Sequence, residues 1–182
     1  NLKWAQQTSI IAGGNEGGNG LNQLDSPRGI YVDDLEQSIY IADYENHRIV
    51  KWKFGELSGQ IVAGGDNQLS YPTDVILDQN RKSLIICDKD NRRVIRWSLE
   101  NPQDKEILIS DIKCFGLAMN ENGDLFVSDI SKHEVKRWRK GEKGNGTIVA
   151  GENGKGNKLN QLSSPTFIFV DREDTVYVSD FL

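Results

Sequence analysis

The chain has 182 residues, of which 37% are hydrophobic and 27% charged, and its formal net charge is −5 at pH 7. This composition is typical of a folded globular protein with one sizeable core and argues against intrinsic disorder. No run of about 18 apolar residues is present, so no transmembrane helix is predicted. The negative net charge argues against wholesale nucleic-acid binding, and with no recognisable signal segment both a cytoplasmic and an extracellular location stay open.

In chain order, the sequence repeats a unit of short apolar stretches. The first stretches read PRGIYVD, PTDVILD, CFGLAMN and PTFIFVD, and the second stretches read SIYIAD, SLIICD, DLFVSD and TVYVSD. Both sets have the β-branched and aromatic composition of strands. A polar turn joins the two stretches, and one of these turns contains Asn122-Gly123, a pair that favours tight β-hairpins. Each unit therefore begins with a predicted hairpin.

Two more stretches complete the unit in its first three copies. The third stretches read RIVKW, RVIRW and EVKRW, and the fourth read GQIVAGG, EILIS and GTIVAG. The units start at Pro27, Pro72, Cys114 and Pro165, which are 45, 42 and 51 residues apart. Four strands in about 40 to 50 residues is the period of a β-propeller blade. Runs such as IYIA and LIIC, apolar on both faces, indicate strands that are buried from both sides.

The predicted fold class is therefore all-β: a β-propeller of four-stranded antiparallel blades, with residues 1–182 forming one propeller segment. Residues 1–14 are predicted to be the last strands of a blade, and residues 162–182 the first two strands of another. Three complete blades are predicted between them, at 24–65, 69–110 and 111–151.

An aspartate closes the second strand of every unit. These residues are Asp43, Asp88, Asp129 and Asp180. A carboxylate at this position can accept hydrogen bonds from the backbone N–H groups of the turn that follows, where Asn46 and Asn91 suit a left-handed backbone. Because every unit has its own copy, whereas a functional site is normally singular, a structural role in the blade turn is predicted. The tryptophans that end the third strands, Trp52, Trp97 and Trp138, are predicted to pack between blades.

The turn Asn46-His47-Arg48, with Pro-x-Gly and Val-x-Asp elements in fixed order, resembles the NHL repeat, and Asn91-Arg92-Arg93 is a similar copy. The third copy departs from the pattern, with Lys132-His133-Glu134 in place of the asparagine and the arginine. The resemblance covers essentially the whole chain. It implies a six-bladed propeller that binds proteins, RNA or small ligands, as in tripartite-motif ubiquitin ligases, sensor domains and extracellular proteins.

Six blades of this size would need roughly 276 residues. The preferred interpretation is therefore an open arc, a fragment of a six-bladed ring. The alternative is a closed four-bladed ring in which the strands at the two termini complete one blade. Joining Asp180 to Trp4 in this way leaves a gap of six positions where the other blades use nine, which disfavours closure.

The two cysteines, Cys87 and Cys114, lack C-x-x-C spacing and have no histidine nearby in the sequence, so no zinc site is predicted. An isolated cysteine most often serves as a small apolar residue, so separate buried thiols are expected, with a disulfide as the alternative. Asn145-Gly146-Thr147 matches the N-glycosylation pattern, which matters only in a secreted protein.

Two glycine-rich stretches, 13–27 and 151–165, agree at ten of fifteen positions. Neither contains the G-x-x-x-x-G-K-[ST] pattern or leads into a predicted helix, so nucleotide binding is not expected. They are predicted to be long connections between blades. Four leucines are expected to anchor them to the propeller edge: Leu21, Leu24, Leu159 and Leu162.

The predicted function is that of a non-catalytic scaffold within a larger protein, which binds a protein or another ligand through the propeller rim and the channel mouth. Residues just past the start of each first strand vary among the copies and would lie near one mouth of the channel. The candidate ligand-facing residues are Arg28, Thr73, Asp74, Phe115 and Thr166. No catalytic residue, metal ligand or cofactor is predicted.

Three alternatives stay open. Substrate recognition in a tripartite-motif-type ubiquitin ligase depends on domains outside this chain. RNA binding would use basic residues around the third strands, although alternating charge there also protects outer strands from aggregation. An enzyme of the peptide-amidating lyase or lactonase type would need a histidine zinc site or several channel carboxylates. The chain offers only His47 and His133, both in blade turns, and Asp74 on a first strand.

Overall fold

The computed structural model describes residues 9–181, and within them every regular element is a β-strand. The strands are β1 (Pro27–Asp33), β2 (Ser38–Asp43), β3 (Arg48–Lys53), β4 (Gln60–Gly64), β5 (Pro72–Leu77), β6 (Ser83–Asp88), β7 (Arg93–Ser98), β8 (Lys105–Ser110), β9 (Cys114–Met119), β10 (Leu125–Asp129), β11 (Glu134–Trp138), β12 (Thr147–Ala150), β13 (Pro165–Val170) and β14 (Val176–Asp180). In this part of the chain no helix has the length and apolar character needed to cross a membrane.

The strands form four antiparallel sheets in which every strand pairs with its neighbour in the chain. Strands β1 to β4 form blade 1, β5 to β8 form blade 2, and β9 to β12 form blade 3. Strands β13 and β14 form a two-stranded sheet, which we call the last hairpin. Successive antiparallel sheets of this kind are the blades of a β-propeller. The predicted fold class is thus confirmed.

Consecutive blades pack face to face. Strands β1, β2 and β3 contact β5, strands β5 and β6 contact β9, and strands β9 and β10 contact β13. All six residues of β2 and all six of β6 are buried. This stacking explains why both strands are apolar on both faces, because each face is covered by a different layer.

The core consists of the layers between the sheets. Trp97 belongs to the layer between blades 1 and 2, and Trp138 belongs to the layer between blades 2 and 3. Trp52 lies on the other face of blade 1, where Ala12 and Leu24 pack against its cluster. Each aromatic ring of this kind removes about 150 to 250 Å² from water, so the three tryptophans, all buried, are major contributors to blade packing.

A disulfide joins Cys87 of β6 to Cys114 of β9, with the two Cα atoms 5.8 Å apart. The expectation of separate buried thiols was therefore wrong. Face-to-face packing of blades 2 and 3 brings the two strands together, which the spacing of the cysteines in the sequence does not reveal. The bond closes a loop with a sequence separation of 27, and a loop of this size stabilises a fold by roughly 3 to 4 kcal/mol in the chain-entropy model.

The two ends of the arc expose apolar side chains that the interior of the arc buries. Ile30 on blade 1 and Phe169 on the last hairpin are 60% and 62% exposed. Val75 and Ile76, at the same repeat positions in blade 2, are 0% and 9% exposed. The described residues therefore form an open arc. Trp4, on which the closed four-bladed alternative depends, lies outside them.

The N-terminal stretch differs from its prediction. Residues 9–14, expected to belong to the last strands of a blade, contain no strand, and residues 1–8 of the same prediction lie outside the described part of the chain. The equivalent stretch in blade 3, β12, is a strand because it pairs with β11. A strand needs such a hydrogen-bonded neighbour, and residues 9–14 have none among the described residues.

Candidate functional site

The closing aspartates lie at one edge of the sheets, where each first strand begins and each second strand ends. We call it the aspartate edge. Asp43 accepts a hydrogen bond from the backbone N–H of Asp25 at 2.7 Å, and Asp88 accepts one from the backbone N–H of Ser70 at 2.7 Å. These donors precede the first strand of the same blade, and Asp180 likewise accepts from the backbone N–H of Ser163 at 2.8 Å. The sequence predicted donors in the turn after the second strand, and among the described residues the structure shows that arrangement only at Asp129. Asp43, Asp88 and Asp180 thus fasten the incoming connection to the strands that follow it.

Side chains of the turn complete the hydrogen bonding of the aspartate. Asn46 Nδ2 and Arg48 Nε donate to Asp43 at 2.9 and 2.7 Å, and blade 2 repeats this arrangement around Asp88. The left-handed residues are His47, with φ of 53°, and Arg92, with φ of 52°, rather than the asparagines as predicted. Because the aspartate already holds the asparagine side chain, the reversal of the chain falls on the next residue.

The third copy of the turn uses a different donor. Asp129 accepts bonds from the backbone N–H of Ser131 at 2.9 Å and from its hydroxyl at 2.6 Å. Glu134, which replaces the arginine, forms an ion pair with Lys136 at 3.1 Å. A serine two residues after the aspartate thus replaces the asparagine and arginine donors, and the turn keeps a left-handed residue, His133, with φ of 60°.

The structure separates the five candidate ligand-facing residues. Arg28 is exposed, and Phe115 and Thr166 are half-buried. Thr73 is 0% exposed and Asp74 is 6% exposed, which differs from their predicted position at a channel mouth. Their strand, β5, is packed between β1 and β9, and that packing covers both side chains.

A cluster of aromatic and cationic side chains lies at the aspartate edge where blades 1 and 2 meet. We call it the edge cluster, and its members are Arg28, Tyr44, His47, Tyr71 and Lys89. The ring centroids of Tyr44 and Tyr71 are 4.9 Å apart, and the rings of His47 and Tyr71 meet edge to face at 4.3 Å. The guanidinium of Arg28 and the ammonium of Lys89 each lie 5.0 Å from the centroid of Tyr44. The cluster is therefore held by aromatic and cation–π contacts.

Lys89 connects Tyr44 of the cluster to the carboxylate of Asp90. Its Nζ donates to the Tyr44 hydroxyl at 2.8 Å and forms an ion pair with Asp90 at 3.4 Å. Burial alone would lower the pKa of Lys89, but the bonds to Tyr44 and Asp90 outweigh it and raise the pKa above its ordinary value. Lys89 therefore stays charged at neutral pH.

The backbone of the cluster is constrained. Tyr71 has φ of 52° and His47 has φ of 53°, in the left-handed region that bulky residues rarely adopt. The backbone N–H of Tyr71 donates to His47 Nδ1 at 3.0 Å, which joins the two left-handed residues. Such conformations persist where surrounding contacts impose them and concentrate at functional sites. The backbone of the edge cluster is thus held at His47 and Tyr71 by a direct hydrogen bond.

Sequence reasoning selected Arg28 but missed Tyr44, Tyr71 and Lys89. The missed residues directly follow a closing aspartate or directly precede the proline of a first strand. Position +1 after the aspartate reads Tyr44, Lys89, Ile130 and Phe181 in the four copies. That variation was a signal of the same kind as the one used for the first strands.

Asp74 is a buried carboxylate between three blades. Its Oδ1 accepts from the backbone N–H of Val75 at 2.9 Å, and its Oδ2 accepts from the backbone N–H of Leu117 in blade 3 at 2.8 Å. On the blade 1 side, a Cβ added to Gly29 would lie 2.1 Å from Oδ1. Burial raises the pKa of Asp74 to about 7, although the two backbone donors oppose the shift. Asp74 thus joins blades 2 and 3 at an electrostatic cost.

The two glycine-rich stretches have the same internal bonding. Gln23 Nε2 donates to the backbone oxygen of Asn15 at 2.8 Å, and Gln161 Nε2 donates to that of Asn153 at 2.9 Å. Leu24 and Leu162, two of the predicted anchors, are half-buried. The other two, Leu21 and Leu159, are exposed and do not anchor the loops. Polar bonds within the loop therefore hold its shape in place of those two leucines.

Five of the basic residues around the third strands are paired with carboxylates. The ion pairs are Lys51 with Glu36, Arg92 with Asp111, Arg93 with Asp88, Arg96 with Glu106 and Lys136 with Glu134. Such pairing reduces the positive potential that a phosphate backbone needs. Within residues 9–181, no group of three histidine, cysteine, aspartate or glutamate side chains has the geometry of a metal site.

The family model that describes the NHL repeat matches residues 24–52. A comparison of the sequence with curated proteins finds no match. Residues 24–52 contain β1, β2, the first closing aspartate and the Asn46-His47-Arg48 turn. The matched segment is therefore the part of the chain in which the turn is closest to the pattern noted in the sequence.

Solved propeller structures share the fold at low sequence identity. The nidogen/laminin complex aligns with a TM-score of 0.70 and 15% identity over 85% of this chain and 56% of the solved chain. Virginiamycin B lyase from Staphylococcus aureus aligns with a TM-score of 0.60 and 16% identity over 89% and 51%. An auxiliary nutrient binding protein from Bacteroides thetaiotaomicron aligns with a TM-score of 0.64 and 14% identity over 88% and 46%.

The chain spans about half the length of these solved chains. At identities of 16% or less, the likeness concerns the fold and not the activity. The repeated four-stranded sheets and the solved structures show the fold, and the family model shows the repeat type of one segment. This chain has a β-propeller fold and contains an NHL repeat at residues 24–52.

Proposed function

We propose that this chain is a non-catalytic protein-interaction module that works outside the cytoplasm and contacts its partner through the edge cluster. The observation that carries the proposal is the pair Tyr44 and Tyr71, held 4.9 Å apart and flanked by two cations. Tyrosine and arginine are enriched among the residues that dominate protein–protein binding energy. Because the cluster is already constrained, little conformational entropy is lost when a partner binds it.

The disulfide supports an extracellular setting. Disulfides persist in oxidising compartments and are rare in the cytosol, where thiols are kept reduced. The Asn145-Gly146-Thr147 glycosylation pattern begins at an exposed asparagine, as a glycan site requires. Both features favour an extracellular binding module over the substrate-recognition part of a cytosolic ubiquitin ligase.

The alternatives have less support among the described residues. RNA binding is disfavoured by the carboxylate partners of the basic residues on the third strands. An enzyme of the lyase type is disfavoured because His47 Nδ1 already accepts the backbone N–H of Tyr71 within the edge cluster. The nidogen/laminin complex contains a propeller of this fold within a protein complex, which is an analogy in favour of protein binding.

The test compares two variants of the full chain. Tyr44→Ala removes the ring that both cations contact, and Leu35→Ala removes an exposed side chain in the β1–β2 turn, at the opposite edge of blade 1. Wild type and both variants, checked for equal thermal stability, are applied to an array of secreted and extracellular-matrix proteins and to a random RNA pool.

We expect saturable binding to a protein on the array, at least about tenfold weaker for Tyr44→Ala and unchanged for Leu35→Ala, since a hot-spot residue contributes more than 1.4 kcal/mol. Equal loss of binding in both variants would overturn the assignment of the edge cluster. Binding to RNA alone would overturn the proposed partner class.

A further inference from the structure

A second candidate site lies away from the edge cluster, in a cleft between blades 2 and 3. The cleft has a volume of about 250 Å³ and is bounded by β7 and β8 on one side, by β9 to β11 on the other and by the turn 139–143. Its floor is apolar and includes Ile85, Ile109, Leu125 and Trp138, all of which are buried. An apolar floor of this kind can hold the hydrocarbon part of a small ligand.

The rim of the cleft has an excess of positive charge. It carries four cations, Arg96, Arg139, Lys140 and Lys143, and two carboxylates, Glu106 and Glu142. Only Arg96 forms an ion pair with one of these carboxylates, Glu106, at 2.5 Å. Lys140 Nζ donates instead to the neutral Gln79 Oε1 at 2.7 Å. The charge of Lys140 is therefore available to an anion.

Arg96 is the second cation that an anion in the cleft can reach. Its side chain lines the cleft and is 41% exposed, and its only carboxylate partner among residues 9–181 is Glu106. An anionic group in the cleft could supply acceptors to Arg96 and Lys140 together.

The equivalent position between blades 1 and 2 can be compared with this cleft. The hollow there is lined by three carboxylates and three cations, and each cation is paired: Lys51 with Glu36, Arg81 with Asp33, and Lys82 with Glu100. At the repeat position that Ile85 occupies in the cleft, this hollow has Tyr40. At the repeat position of Gly123, it has Arg81. The repeat thus builds a hollow at both junctions, but only the one between blades 2 and 3 combines an apolar floor with uncompensated positive charge.

We propose that this cleft binds a small amphipathic carboxylate, with its hydrocarbon body on the Trp138 side and its carboxylate between Arg96 and Lys140. A volume of about 250 Å³ is just below the range of pockets that hold drug-sized ligands. It therefore suits an alkyl or arylalkyl carboxylate of about eight to ten non-hydrogen atoms. Charge complementarity selects an anion over an alcohol or an amine of the same size.

The test uses octanoate as the probe, with octan-1-ol and octylamine as matched ligands of different charge. The readout is the ¹H–¹⁵N resonance of the Trp138 indole, whose Nε1 donates to the backbone oxygen of Gly144 at 2.9 Å, beside the turn that borders the cleft. The indoles of Trp52 and Trp97, which do not line the cleft, report non-specific adsorption. Octanoate should shift the Trp138 signal saturably and leave the other two unchanged.

Two lysine variants separate the cleft from general surface charge. Lys140→Gln removes the unpaired cation of the cleft, and Lys82→Gln removes a paired cation of the equivalent hollow. Octanoate affinity should fall at least about fivefold in Lys140→Gln and stay constant in Lys82→Gln, because one charge-assisted hydrogen bond is worth more than that factor. The proposal is overturned if octan-1-ol binds as well as octanoate, if all tryptophans shift together, or if the two variants bind octanoate equally.

Discussion

Cys87 and Cys114 occupy facing positions of consecutive repeat units and covalently join blade 2 to blade 3. Both depart from the other copies. The position of Cys87 carries Ala42, Ser128 and Ser179 elsewhere, and the position of Cys114 carries proline in every other unit. At the next junction Ser128 makes the corresponding link, because its hydroxyl donates to the backbone oxygen of Thr166 at 2.7 Å. The disulfide thus replaces a polar bond at a fixed contact point between blades.

Reduction of this disulfide should destabilise the fold. Replacing both cysteines by alanine should lower the free energy of unfolding by roughly 3 to 4 kcal/mol, since the closed loop no longer restricts the unfolded chain. Urea unfolding of the double variant and of the reduced wild type measures the change. Two free thiols in the denatured, unreduced protein would contradict the pairing.

Asp88→Ala should destabilise the fold by about 1 to 3 kcal/mol, because the variant leaves the buried donors around this carboxylate unpaired. Asp104→Ala, at an exposed position before β8, is the control and should change stability by less than about 0.5 kcal/mol. Thermal unfolding of both variants gives the comparison. Equal stability of Asp88→Ala and wild type would mean that the aspartate does not hold the connection.

Asp74 should make stability fall as pH rises between about 4 and 7. Its pKa is about 7 in the folded state against an ordinary 3.8, so in this window the folded state binds a proton that the unfolded state has released. The contribution of Asp74 to the free energy of unfolding is fully present below the pKa of the unfolded state. It is lost as the pH rises through the pKa of the folded state. At 1.36 kcal/mol for each pH unit, the change is about 4 kcal/mol across the window.

Asp74→Asn isolates this effect, because asparagine does not titrate. The difference in unfolding free energy between wild type and variant, measured from pH 4 to pH 8, should shrink as pH rises and level off above 7. The variant itself should be less stable at low pH, because its amide NH2 group cannot accept a hydrogen bond and replaces one of the two carboxyl oxygens that each face a backbone N–H donor. A difference that is constant with pH would show that Asp74 titrates normally.

Gly29→Ala should be strongly destabilising because the added Cβ would lie 2.1 Å from Asp74 Oδ1. Overpacking of this kind typically costs about 1 to 3 kcal/mol. Combining it with Asp74→Gly should cost less than the sum of the two single changes, since the contacts with Oδ1 and Cγ are removed and only the contact with the Cα of residue 74 at 2.8 Å remains. Strict additivity in this double-mutant cycle would place the strain elsewhere.

Asn145 should carry a glycan when the full chain is secreted from eukaryotic cells, because it lies exposed in the turn before β12. A mass shift removed by glycosidase treatment and absent in Asn145→Gln is the expected result. Asn122→Gln, in an Asn-Gly turn without the pattern, is the control. An unmodified Asn145 in a correctly secreted chain would remove one support for the extracellular proposal.

The strands were predictable because their signals are local. Each stretch that ends in Asp43 or Asp88 is apolar on both faces and bounded by polar turns, and strands β1 to β14 match the predicted stretches to within one residue. The exception is residues 9–14, which have the sequence of a strand but no pairing partner among the described residues. Pairing, unlike strand propensity, depends on another part of the chain.

The candidate sites were harder to predict because they form between units. Tyr44 and Tyr71 belong to different blades, and the burial of Thr73 and Asp74 follows from a blade lying on each side of β5. A repeat-by-repeat alignment shows which positions vary, but not which of them the neighbouring blade covers. Cys87 and Cys114 offered a further signal, because both depart from the repeat at positions that touch.

Every strand pairs with its neighbour in the chain, and this affects how the sheets unfold locally. Contacts within a blade are local, so a blade can form early in folding, and its persistence then depends on how many neighbours stack on it. Blade 2 is stacked on both sides, whereas blade 1 and the last hairpin each have one stacked face among the described residues. Amide hydrogens of β6 should therefore exchange most slowly, with openings spreading inward from the two ends of the arc.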